Sequence, residues 1–108
     1  MKQFKDVLET LPAIDHIEAI ELFDESDGFV DRIENKPGKA GSLRVYHAVV
    51  GEDGVLGPRQ AEQALQLFCE HRADAEANPG KHPNIDRLFK LIDNEARLQL
   101  RILKKETE

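Results

Sequence analysis

His47, Cys69, His71 and His82 are the side-chain types that bind zinc or build nucleophile and base pairs, and Cys69-Glu70-His71 places two of them close together. Their spacing opposes both uses. On a helix, residues two apart point about 200° from each other, so Cys69 and His71 cannot grip one ion without unwinding it. No C-x-x-C or H-E-x-x-H pattern occurs. Cys69 instead reads as a small hydrophobe, His71 as a solvated residue and His47 as a core histidine. No metal site and no cofactor is expected.

His82-Pro-Asn-Ile-Asp86 precedes a helical pattern, where unpaired amides and the helix dipole favour an anion. A pocket beside His82 is one reading; the other is that Asn84 caps the helix and Pro83 stiffens the approach. An enzyme built here would use His82 or His47 as general base, Asp86 to orient it, and Lys36 or Arg44 to hold substrate charge. That design requires His47 and His82 to share a cleft.

The loop Lys36-Pro-Gly-Lys-Ala-Gly-Ser42 is basic and glycine-rich. It is no P-loop, because it lacks the terminal Gly-Lys-Ser/Thr and is expected to open a strand rather than a helix. Asp24-Glu-Ser-Asp-Gly28 fails as a calcium loop, since Asn35 stands where the twelfth position needs Glu. It reads as a hairpin turn.

These groups need elements to hold them. Phe4, Val7, Leu8 and Leu11 recur at helical spacing before Pro12. Ile17 to Asp24 and Phe29 to Glu34 read as a hairpin, and Leu43 to Val50 (LRVYHAVV) as a buried third strand after the glycine loop. Gly51-Glu-Asp-Gly54 turns the chain. Pro58 then starts a long helix running to about Ala77, ended by Asn78-Pro-Gly80. Asn84 begins another, carrying Ile85, Leu88, Phe89 and Ile92. Arg97 to Ile102 alternates apolar and polar residues strictly, as a half-buried strand does.

The expected fold is α+β in the order α-β-β-β-α-α-β, a mostly antiparallel sheet of about four strands with helices on one face. Alternation in Leu43–Val50 would then place Arg44 and Tyr46 on the open face with Arg97 and Arg101. Such a face can hold carboxylate or phosphate in guanidinium forks. The plainer reading is that the same arginines form weak cross-strand pairs with Glu18, Glu21 or Glu34, and a symmetric dimer lies between the two.

The chain has 108 residues, 40% hydrophobic and 33% charged, which fits one domain over 1–108. A net charge of -6 argues against nucleic-acid binding. The first 35 residues are strongly acidic. No apolar run reaches the roughly 18 residues of a membrane span, and Asp6 and Glu9 interrupt the apolar positions a signal peptide would need. The single Cys69 forms no internal disulfide. These features point to a cytoplasmic protein without a membrane partner.

Gly41-Ser-Leu-Arg-Val-Tyr-His47 and His82-Pro-Asn-Ile-Asp-Arg-Leu88 resemble segments of a family of small uncharacterised bacterial proteins. The resemblance extends over most of the chain. It implies a bacterial cytosolic protein and supplies no activity, cofactor or catalytic residue. The residues themselves favour a non-enzymatic binding or assembly module. It would self-associate as a homodimer and bind an acidic small molecule or protein segment through Lys36, Arg44, Tyr46, Asn84, Arg97 and Arg101. A small hydrolase or isomerase is the alternative.

Overall fold

The computed structural model describes residues 3–51 and 54–105. Glu52 and Asp53 of the turn after Gly51 lie outside the described residues. Apolar residues in partial alternation with charged ones form β1 (Ile17–Phe23) and β2 (Phe29–Glu34), and the hairpin between them closes on Asp24. The Asp24 Oδ1 accepts from the backbone amides of Ser26 at 2.9 Å and Gly28 at 2.8 Å. That pattern is an Asx-type turn. The C-terminal segment that alternates as far as Ile102 forms β4 (Leu98–Lys104), paired antiparallel to β1.

The third strand of the sheet in chain order is a two-residue piece, β3 (Val55–Leu56), hydrogen-bonded to the start of β4. Leu43 to Val50, read above as a strand, is instead part of α2 (Ala40–Val50). Strand propensity yielded there to packing: Leu43, Val45, Tyr46 and His47 are buried, and three consecutive buried side chains suit a helix enclosed on several sides. The sheet order is β2-β1-β4-β3, all antiparallel. The fold class is α+β.

The remaining helices are α1 (Phe4–Leu8), α3 (Pro58–Leu67), α4 (Glu70–Ala77) and α5 (Pro83–Asp93). Pro58 and Pro83 each occupy the first helical position, where the missing N–H costs nothing. The long helix expected over Pro58–Ala77 is two helices, because Cys69 adopts φ 51 and ψ -121. That conformation suits glycine and costs other residues about 1–3 kcal/mol. Cys69→Gly therefore raises stability by about 1 kcal/mol, after allowing for glycine's greater freedom in the unfolded chain. Thermal melts of the two proteins check this; a lower melting temperature in the variant would contradict it.

Ile20, Leu22, Ile33 and Leu100 point from the sheet into one core with Leu43, Leu65, Phe68 and Leu88 of the helices. Each such buried side chain contributes about 1.5–3 kcal/mol. The opposite sheet face carries Glu21, Phe23, Phe29, Arg32, Gln99 and Arg101. Helices therefore cover a single side of the sheet. Asp31, opposite Leu22 in the register, lies on the covered side and reaches α5.

Candidate functional site

The cleft that gathers the most chemistry lies where α2 and α5 begin, with a volume of about 250 Å³. Gly38 comes from the loop before α2 and Gly41 and Ser42 from its first turn; Lys81 and His82 lead into α5, and Pro83, Asn84 and Ile85 form its first turn. Phe4, Phe68 and His71 complete it. Gly38, at φ 88, takes a conformation that other residues rarely adopt. Gly41 has a steric reason: a Cβ there would lie 3.2 Å from the Phe4 ring.

The aromatic wall is built from α1 inward. Phe4 stacks on Phe68 with centroids 5.3 Å apart and meets the His71 ring edge-on at 4.9 Å. Its amide donates to Glu70 Oε1 at 2.8 Å, and this hydrogen bond is the main cause holding the Glu70 carboxyl below the usual range. His71 lies 5.7 Å from the His82 ring. The break at Cys69 sets α4 at the angle that brings His71 here.

Asp74 of α4 fixes the polar rim. His82 Nε2 lies 2.6 Å from Asp74 Oδ2, and Lys81 Nζ lies 3.1 Å from the same oxygen. The hydrogen bond with His82, then that with Lys81, brings the Asp74 carboxyl down to about 2. Its benefit to the fold is present above the ordinary value of 3.8 and is lost as pH falls through about 2. Asp86, expected to orient His82, instead accepts from the Gly80 amide at 2.9 Å. The orienting carboxylate is Asp74, one helix earlier, and no sequence spacing marks it.

The α2 N-cap, Lys39, makes no side-chain capping bond, and among the described residues no protein group accepts from the Gly41 or Ser42 amide. The α5 N-cap is His82 rather than Asn84, and it too makes no side-chain cap. Asn84 sits inside the first turn, its carbonyl accepting from the Tyr46 hydroxyl at 2.5 Å and its Oδ1 from Arg87 Nη1 at 2.9 Å.

The expected basic sheet face is not assembled as the strand reading had it. Arg44 projects from a helix and donates to the carbonyls of Leu11 at 2.8 Å and Pro12 at 3.1 Å, tying down the segment after α1. Tyr46 is fully buried. Its hydroxyl accepts from Arg87 Nη1 at 3.2 Å, and Arg87 also pairs with Asp31, joining α2, α5 and β2. Burial drives the Tyr46 pKa up to about 12. Of the four residues, Arg101 lies on the open face, over the Phe23 ring at 4.8 Å, and the exposed Arg97 borders the same face beside Val55 and Gln99. Arg97 stands beside Gly57, just before β4. Lys36 pairs with Glu34 at 3.3 Å.

His47 is buried and meets the His16 ring at 6.0 Å. It does not line the cleft that holds His82. The two histidines therefore do not share this cleft. Among the described residues no group of three or more His, Cys, Asp or Glu side chains is placed to hold a metal ion, and no helix is long and apolar enough to cross a membrane.

No curated protein and no solved structure matches the chain. A family of uncharacterised proteins conserved in bacteria, DUF2322, matches residues 4–102, and the chain belongs to that family.

Proposed function

We propose that the protein is a cytoplasmic binding module for a small oxyanion, a phosphate or carboxylate group, seated in the cleft between the starts of α2 and α5. One observation carries this reading. In a chain with 21 acidic and 15 basic residues, the cleft is lined by Lys81, His71 and His82 and by no carboxylate. Two helix N-termini add partial positive charge, and the Gly41 and Ser42 amides add donors. Asp74 holds Lys81 and His82 in place from outside the lining. The volume of about 250 Å³ falls below the roughly 300–1,000 Å³ of a drug-sized site, so the ligand is small.

Titration calorimetry with inorganic phosphate, succinate and a short glutamate-rich peptide tests this. At least one small anion binds, and Lys81→Glu weakens it by about tenfold or more, a loss of about 1.4 kcal/mol. Lys36→Glu, at an ion pair outside the cleft, leaves binding unchanged. Absence of binding by both small anions, or equal effects of the two substitutions, would overturn the reading.

The contact of His82 with Asp74 favours a second reading, in which His82 is a general base acting on the bound molecule and Asp74 orients it. Hydrolysis of simple phosphate or carboxylate esters, lost in both His82→Gln and Asp74→Asn while the fold is retained, is its expected signature. Wild-type protein inert to both ester classes would count against it.

A further inference from the structure

The open face of the sheet is ordered in rows. Phe29, Phe23, Gln99 and Val55 stand opposite one another across β2, β1, β4 and β3, and the next row holds Arg32, Glu21 and Arg101. Phe29 is 60% exposed and Val55 46%. Phe23 and Phe29 meet edge-on at 5.9 Å. Glu21 pairs with Arg32 at 3.3 Å, whereas no carboxylate among the described residues lies within ion-pair distance of Arg101, which rests on the Phe23 ring. A largely apolar row, broken only by Gln99, beside a row of alternating charge is an unusual surface to leave to water.

We propose that this face is an interface between two copies of the chain, related by a twofold axis that runs along the strands between β1 and β4. Such an axis exchanges β1 with β4 of the other copy and keeps each row opposite itself. Glu21 then faces Arg101 of the second copy, Arg101 faces its Glu21, and Phe29 faces its Val55. The row pattern is thus self-complementary, the condition an isologous interface must meet. Aligned sheets pack about 10 Å apart with their strands within about 30°, which leaves room for the aromatic row.

The size of the face sets the strength. Strands of six or seven residues spaced about 4.8 Å apart give a surface on the order of 15 by 20 Å. That is less than the roughly 800 Å² per partner of a standard interface, so the dimer is reversible and concentration-dependent. This proposal does not depend on the cleft.

Sedimentation velocity over a dilution series tests it. The wild-type protein passes from monomer to dimer as its concentration rises. Arg101→Glu and Glu21→Arg each raise the dissociation constant by about tenfold or more, because each sets like charges against each other at two symmetric positions. Mixing the two variants restores the dimer, since unlike charges then face each other again at both positions. A monomer at every concentration overturns the proposal. So does a dimer indifferent to both substitutions, or two folded variants that fail to associate when mixed. Should either variant lose its circular dichroism signal, Phe29→Ser supplies the same readout, with weaker self-association expected and unchanged association overturning.

Discussion

Stability falls by about 3 kcal/mol between pH 10 and pH 12 in wild-type protein, and Tyr46→Phe removes that loss. The Tyr46 pKa rises from 10.0 to about 12 through burial of its hydroxyl. Because the folded value is the higher, the unfolded chain ionises first as pH increases. The stabilisation is fully present below pH 10 and declines by about 1.4 kcal/mol per pH unit until the folded protein ionises too. Tyr46 is the single tyrosine and the chain has no tryptophan, so tyrosinate absorbance reports this group without interference. Native protein titrating near pH 10 in that experiment would refute the buried assignment. At neutral pH, Tyr46→Phe costs about 1–2 kcal/mol, because the Asn84 carbonyl and Arg87 each lose a partner.

Arg87→Met is more damaging at neutral pH, by about 2–4 kcal/mol. Arg87 serves the Tyr46 hydroxyl, Asn84 Oδ1 and the Asp31 carboxylate at once, and its side chain is only 14% exposed. Asp31 is 47% exposed, so water takes up part of its lost charge pairing and the cost stays below that of a fully buried pair. Urea denaturation of wild type and variant measures it. A change within about 0.5 kcal/mol would show that the α2–α5–β2 junction is held by apolar packing alone.

The same junction explains what the sequence conceals. The hairpin over β1 and β2, the alternation in Arg97–Ile102 and the start of α5 near Pro83 are legible because each follows a local rule of period or turn chemistry. Leu43–Val50 is not. Its Val, Tyr and Val side chains carry strand propensity, and the opposing signal is the helical spacing of Leu43, Tyr46, His47 and Val50. Tertiary packing decides between them: Tyr46 is buried in the core, with its hydroxyl between Asn84 and Arg87, residues distant in sequence. The break at Cys69 is equally hidden, since a glycine would have announced it and cysteine does not. At the cleft, His82 and its helix start are visible in sequence, but the partnership with Asp74 is made by the α4–α5 packing. The close approach of Phe4 to Gly41, from helices separated by the whole β1–β2 hairpin, is likewise a product of tertiary structure.

The five-residue helix α1 is far too short to persist in isolation. It holds its shape because Phe4 docks on Phe68 and its amide is taken by Glu70. Detachment of that opening turn and dismantling of one cleft wall are consequently a single event. Hydrogen exchange at the Phe4 amide thus measures how often the wall comes apart, and an occupant that touches the ring will slow that exchange.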